Sequence, residues 1–563
     1  MTAVSRFRCS ARSAPIVAAG LLAAAMVGPV SAGKPPLQPG PVVWYEDDAR
    51  PVPLPSEFEP PQIVSEVRAT VSRPVARALD PARWISGDDG PAWNPNALGE
   101  VPNSSWFTNR MGLRQLSADE LATGPGRNGP SREGPWEIIG AKTGGVSMGF
   151  RIRDAEGQVW LLKFDPLQHP GQNIRAGVVS NLLLHACGYN TPVDRLVEFT
   201  SDQLSVSVEA SLRSVRGQGG DVKLTAANLD SVLQATGSVF DGRYHALASR
   251  YLSGRPLGPV RHKGTRPDDP NDRVPHEHRR EWRALRVMAS WIGHVDTKMQ
   301  NTLAMYEGEP GAGHVVHYLI DFATTLGSSG AEPFAKFNYE YGVDLPASVT
   351  RLANLGLARD IWQTVSFPDH LPEVGYFTAD RYDPRLWSPI YPNAAFANLT
   401  REDGYWAAKV VSAFTDDDLR VMVEQGRYQD PAAVDWLVTH LGRRRDAIAR
   451  VWFGQVPPLD FWQVRGGRLV GRDLAVERGV AAGEVSRYRH RRRLVRADRG
   501  SDLAWSAWQD SKGLEAGAPP ILGGPGDHDF HAFQWQVRRD GEWSEPVTVY
   551  TELDLSGVVA VDR

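Results

Sequence analysis

Four polar side chains crowd one short region of the chain. Asp296, Lys298 and Asn301 stand in the order D-x-K-x-x-N within Gly293–Asn301 (GHVDTKMQN), and Asp321 follows an apolar run in Leu319-Ile320-Asp321-Phe322-Ala323. Phosphoryl transfer needs a carboxylate near the attacking hydroxyl, a cation near the moving phosphate, and oxygen ligands for Mg²⁺. This region offers all of them.

Elements on either side must hold these groups in place. Trp282, Leu285, Met288, Ala289 and Ile292 recur at helical spacing, so the pattern predicts a buried helix over 277–292, with Pro275 near its start and Gly293 as its stop. Thr302–Tyr306 and Val315–Ile320 read as two strands about a Gly- and Pro-containing turn at 307–313. That hairpin would bring Asn301 and Asp321 together, as a shared metal requires. The plainer alternative is an ordinary polar loop ahead of a buried hairpin.

Upstream, Val159–Lys163 reads as a strand with Val159, Leu161 and Lys163 on one face. A lysine in so apolar a run needs an anion. Ahead of it, residues 138–157 read as two strands joined at Thr143-Gly144-Gly145, with a second turn from Asp154 to Gly157. Taken alone this is an ordinary antiparallel hairpin, but Gly140, Gly144, Gly145 and Gly149 would let backbone amides approach a phosphate. Residues 173–187 form the next helical pattern, with Ile174, Val178, Leu182 and Leu183 on one face and Gly188 past its end.

The order glycine hairpin, strand lysine, helix, D-x-K-x-x-N, D-F-A covers roughly residues 131 to 330. It resembles the protein-kinase-like fold, in an atypical branch similar to HipA-like, CotH-like and lipid kinases. His294 and Asp296 match the kinase catalytic loop, Val295 stands where it has Arg, and Ala323 replaces the Gly of D-F-G. The resemblance implies an α+β, two-lobed fold, with residues 131–255 as the sheet-bearing lobe and 256–457 as the helical lobe. It implies ATP and Mg²⁺ as cofactors. Lys163, Gly144 and Gly145 would contact the nucleotide, and Asp296 would position or deprotonate the acceptor. Lys298 would offset charge on the transferring group, while Asn301 and Asp321 would hold Mg²⁺. The segment 243–258 resembles the hinge between lobes.

Two departures matter. No A-P-E segment stands at a suitable distance after Asp321, and the helix at 173–187 has no acid to pair with Lys163. Gly177 sits where the kinase glutamate is expected, which leaves Asp165, Asp194 or Glu198 as partner. Two functional readings stay open. One is an exported enzyme passing a phosphoryl or nucleotidyl group to an unknown protein, sugar or lipid. The other is a catalytically silent pseudokinase-like scaffold of the cell envelope.

The remainder bounds the setting. The formal net charge of −4 on 563 residues argues against nucleic acid as a main partner. Arg6, Arg8 and Arg12 precede an apolar stretch, and Val30-Ser31-Ala32 resembles a cleavage site, so residues 1–32 read as a secretory signal and the protein as exported, to the periplasm or beyond. After cleavage only Cys187 would remain, which rules out an intramolecular disulfide. Residues 33–130 read as a linker and Trp-containing extension, 350–455 as helical, and 458–563 as an appended β-sandwich-like domain suited to docking a surface, partner or glycan. The basic run Tyr488–Arg496 is a solvent-facing strand or an anion or membrane-surface patch. His276-Glu277-His278 is a poor metal pair, because i,i+2 histidines do not share a helical face.

Overall fold

The computed structural model describes residues 42–60, 90–142, 148–208, 210, 214–217, 220–234, 236–329, 335–336, 338–339, 351–354, 359–496, 504–517 and 529–563. The expected signal segment, Gly144 and Gly145 lie outside the described residues. The architecture is mixed α+β with several sheets.

The first sheet has seven strands: β1 (Trp136–Ala141), β2 (Gly149–Arg153), β3 (Val159–Lys163), β4 (Asp194–Phe199), β5 (Leu204–Val206), β6 (Val239–Phe240) and β7 (Arg243–Arg250). Their order is β4-β7-β3-β2-β1-β5, with β6 added to β7; β5 pairs parallel to β1 and the other pairs are antiparallel. Alternation along the strands separates two faces. One buries Ile138, Phe150, Ile152, Trp160, Leu162 and Ala248 in a cluster of its own. The other carries Lys163 and Leu247 toward helix α1 (Gln172–Cys187). Burying each large apolar side chain contributes about 1.5–3 kcal/mol, which ties the strands to one register.

Helix α1 is buried on almost every side. Its start shows why Asp165 is not the partner of Lys163. The Asp165 carboxylate accepts backbone N–H groups of Gly171, Asn173 and Ile174 at 2.8, 2.9 and 3.1 Å, so it satisfies the orphan donors of the helix N-terminus. Glu198 is likewise engaged, with Arg427 at 3.1 Å.

Helix α2 (Arg280–Ile292) begins one turn later than its periodicity predicts. The missing turn is a separate 3₁₀ turn at His276–His278, where the Glu277 carboxylate accepts the Gly264 N–H at 2.7 Å and Arg279 is extended. Strands β8 (Arg255–Pro256), β9 (Thr302–Glu307) and β10 (His314–Leu319) form a small sheet beside it. Helices α3 (Arg401–Val411), α4 (Asp416–Glu424) and α5 (Pro431–Phe453) start at the caps Thr400, Thr415 and Asp430. They share one apolar cluster with α1, α2 and the extension residues Val52, Val101, Trp106 and Phe107. The helical expectation for 350–455 therefore holds in its second half. Residues 359–393 run instead through turns and a 3₁₀ turn at Ile361–Gln363, because Pro368, Pro372, Pro384, Pro389 and Pro392 interrupt any helix there. Among the described residues, no helix is long and apolar enough to cross a membrane.

The C-terminal part holds two further sheets. β11 (Leu459–Arg465) and β12 (Arg468–Asp473) belong to one; β13 (Arg487–Arg496) and β14 (Gln509–Ser511) belong to the other. β15 (Glu515–Gly517) completes the first, and β16 (Asp529–Arg538), β17 (Val547–Glu552) and β18 (Val558–Asp562) complete the second. Both contribute to one apolar cluster that includes Leu459, Leu469, Phe533, Trp535 and Val549. Gly466 and Gly467 both have positive φ and close the β11–β12 hairpin as a two-residue turn. Lys409 of α3 pairs with the Asp460 carboxylate at 3.0 Å and with Glu100, and Arg563 reaches Asp460 at 2.8 Å, so buried charges join the extension, α3 and this C-terminal part.

Candidate functional site

Three distant pieces of chain converge on one spot. Lys163 ends β3, Asp321 follows β10, and residues 294–301 link α2 to β9. Lys163 Nζ lies 3.2 Å from Asp321 Oδ1; the lysine side chain is 12% exposed and the carboxylate 38%.

The loop is shaped by its ends. Gly293 stops α2 in the left-handed region, at φ 65°, and the His294 N–H returns to Ala289 O at 2.8 Å. Lys298 Nζ sits 3.0 Å from Asp296 Oδ2. The Asn301 amide Nδ2 donates to Asp296 O at 2.6 Å, which leaves its Oδ1 as the atom suited to a cation. The Asp296 Oδ1 is enclosed and has no hydrogen-bond partner among the described residues. The hairpin register pairs Thr302 with Leu319, and the Ile320 N–H donates to Asn301 O at 2.9 Å. Asn301 is thus held one residue from Asp321 across the ladder, as the hairpin predicts.

Asp321 has φ 60°, a conformation few non-glycine residues adopt and one that recurs at functional sites. Its neighbours hold it there. Phe322 is buried and packs its ring 5.9 Å from that of His294. Thr325 Oγ1 donates to Phe322 O at 2.7 Å and accepts from Ser180 Oγ of α1 at 2.8 Å. The Leu326 N–H donates to Ile292 O at 2.8 Å. Asp321 is therefore braced against both helices.

Gly177 of α1 lies against the sheet close to Lys163. A Cβ added at Gly177 would lie 2.6 Å from Leu247 Cδ1, and Leu247 is the cross-strand partner of Lys163. Helix α1 sits close on the sheet there, and a side chain at 177 would have to displace Leu247. Asp194, buried on β4 opposite Ser249, adds a second negative charge acting on Lys163. Burial pushes its pKa up to about 6, partly offset by Lys163 and by hydrogen bonds from Ser249 and Asn181. Burial alone would depress Lys163, but Asp321 and Asp194 outweigh it and hold the ammonium form.

Lys142 is a member of the site that sequence reasoning missed. Its N–H donates to Gly149 O at 2.9 Å, and Gly149 pairs with Lys163 on the next strand. A Cβ on Gly149 would meet Lys142 Cδ at 3.2 Å, so the Lys142 side chain lies over the bare glycine, toward Lys163. Burial lowers its pKa to about 8; Asp321 opposes that shift, and the Lys163 and Lys298 charges add to it. The signal was the hairpin register, which needs both strands placed before it can be read. Asp321 is held well below the usual carboxylate range, chiefly by Lys163, with Lys142 and Lys298 adding, against the opposing effect of burial.

Lys142, Lys163 and Lys298 stand beside Asp194, Asp296 and Asp321, a near-balanced cluster suited to a phosphate that arrives with its own cation. Asn301 Oδ1 and the Asp321 carboxylate are hard oxygen donors of the kind Mg²⁺ takes alongside substrate phosphates. The rival histidines are engaged elsewhere. His276 Nε2 bonds Asp272 at 2.7 Å and His278 stacks on Trp93 at 4.3 Å between centroids. No group of three or more His, Cys, Asp or Glu suited to a metal occurs among the described residues.

No family of known proteins matches the chain, and no curated protein or solved structure is significantly similar to it.

Proposed function

We propose that the protein is an exported kinase-like enzyme with a two-lobed fold, transferring the γ-phosphoryl group of ATP to an acceptor hydroxyl in the envelope, on a protein, sugar or lipid. The observation that carries this is the meeting of Lys163 and Asp321 at 3.2 Å beside the D-x-K-x-x-N loop, from segments far apart in the chain. Export rests on the leader-like residues 1–32, which include Arg6, Arg8 and Arg12.

Each residue then has a task. Lys163 and Lys142 bind the nucleotide phosphates. Asp296 accepts the proton of the acceptor hydroxyl as its oxygen forms the new bond to phosphorus; the bond from the β–γ bridging oxygen to the γ-phosphorus breaks and ADP leaves. Lys298, 3.0 Å from Asp296, orients that carboxylate and offsets charge on the moving group. When bound through Asn301 and Asp321, Mg²⁺ supplies charge neutralisation on the phosphates.

The silent-scaffold reading draws its support from Gly177, where no glutamate stands, and from the leader-like residues 1–32, since ATP is scarce outside the cytoplasm. Asp194 near Lys163 answers the first point, and the retention of Asp296, Asn301 and Asp321 together favours the enzyme, so that reading is preferred.

A pH profile follows from two groups. Asp194, near 6, must be ionised to support Lys163, so kcat/KM is expected to rise as pH increases through about 6. Lys142, near 8, must be protonated to bind phosphate, so kcat/KM is expected to fall above about 8. Asp165 also titrates near 6, and Asp194→Asn separates the two, because it should remove the acidic limb only if Asp194 causes it. A profile unchanged in Asp194→Asn would remove Asp194 from the site.

The direct test is labelling with a lysine-acylating ATP analogue. Acylation concentrated at Lys163 and Lys142, and blocked by excess ATP, is the expected result. Scattered labelling that ATP does not suppress would overturn the proposal.

A further inference from the structure

The basic run in β13 is neither a plain solvated face nor a loose patch. On its inward side His490 stacks on Trp535 at 4.7 Å and Arg492 donates to Gly517 O at 3.1 Å. Its outward residues Arg489, Arg491 and Arg493 lie between tryptophans from other segments. Arg493 sits 4.4 Å from the Trp505 ring, and Arg491 sits 5.0 Å from Trp505 and 4.6 Å from Trp508. Arg489 lies 4.5 Å from Trp508 and 4.3 Å from Trp543, and Arg538 of β16 closes the stack 4.8 Å from Trp543. Guanidiniums and indoles therefore alternate along one line across the sheet.

Stacking uses the faces of the guanidiniums and leaves their N–H edges. Arg489 Nε donates to Gln536 Oε1 at 2.9 Å and Arg491 Nε to Gln534 Oε1 at 2.8 Å, which fixes each plane. The terminal nitrogens of these two arginines have no protein acceptor among the described residues. Asp510, opposite Arg489 on β14, is the carboxylate coupled to it, while Arg538 and Arg491 repel it. The line thus carries several oriented cations against little acid.

We infer that this ladder is a binding site for a linear acidic polysaccharide. Outward residues on a strand repeat at roughly 7 Å, so the guanidinium edges form a one-dimensional array. A linear polymer with a carboxylate on each sugar can meet several of them at once, each through a charge-assisted hydrogen bond. The indole faces are occupied by arginine, which removes the base-stacking surface single-stranded nucleic acid uses and the free aromatic tips a membrane interface uses. Charge and planar forks remain as the recognition chemistry. This inference stands apart from the phosphotransfer reading.

The test is calorimetric titration of the whole protein with polygalacturonate, with neutral dextran and phosphatidylglycerol vesicles as comparisons. Polygalacturonate is expected to bind and dextran not. Arg489→Gln and Arg491→Gln should each weaken binding about tenfold, the scale of one hydrogen bond to a charged group. Arg487→Gln, on the same strand but outside the stack, should change it less than about twofold. Arg491→Lys keeps the charge and guards against misfolding; it should still bind several-fold more weakly, because an ammonium lacks the planar fork. The inference is overturned by absence of polygalacturonate binding, by preference for vesicles, by equal losses at Arg487 and Arg491, or by full affinity in Arg491→Lys.

Discussion

Asparagine in place of Asp321 is expected to lower ATP-dependent phosphoryl transfer by about 10²–10³-fold, the scale seen when one preorganised electrostatic group is removed, while the protein stays folded. Asparagine has the same shape, and it tolerates the left-handed backbone that Asp321 adopts at φ 60°. What it lacks is the charge that pairs with Lys163 at 3.2 Å and, on the proposed reading, the charge that holds Mg²⁺. Lys163 retains Asp194 as a counter-charge, so the lysine is not left buried without an anion. A rate assay and a thermal unfolding scan on the same sample separate chemistry from folding. A folded Asp321→Asn protein with near-wild-type transfer would remove Asp321 from the mechanism.

The second large effect concerns Gly177. Supplying the glutamate that a kinase-like pattern expects there should damage the protein, not improve it. The first added carbon already lies 2.6 Å from Leu247 Cδ1, and the carboxylate would enter a helix buried on almost every side. Overpacking costs about 1–3 kcal/mol and an unpaired buried charge more, so Gly177→Glu is expected to lose about 3 kcal/mol or more. Gly177→Ala isolates the steric part at about 1–3 kcal/mol. Denaturant unfolding measures both. A Gly177→Glu protein as stable as the parent would mean that α1 can move away from β7, and that Asp194 need not be the partner of Lys163.

Much of the scaffold was legible because it is local. The helical period of Trp282, Leu285, Met288 and Ile292 and the stop at Gly293 depend only on neighbouring residues, and the structure places them as read. Asp296, Lys298, Asn301 and Asp321 stand out because their spacing follows a short motif, and Lys163 because it is a lysine in an apolar strand. The rest depends on register and topology. Lys142 joins Lys163 only because Gly149 between them has no side chain, and Asp194 enters only because β7 separates β3 from β4 by one strand. The arginines of β13 looked solvent-facing because Trp505, Trp508 and Trp543 are brought over them by later turns of chain. The helical reading of 350–455 includes the stretch at 359–393, although its prolines argue against a helix there.

The central claim is that Lys142, Lys163, Asn301 and Asp321 form a nucleotide site. Thermal unfolding of the protein with ATP, in the presence and absence of Mg²⁺, tests it most directly. ATP at 100 times its Kd should add about 2.7 kcal/mol of stability. The expected result is a rise in Tm that is larger with Mg²⁺, is reduced in Lys163→Met and loses its Mg²⁺ dependence in Asp321→Asn. An unchanged Tm with every nucleotide tried, with or without Mg²⁺, would contradict the claim.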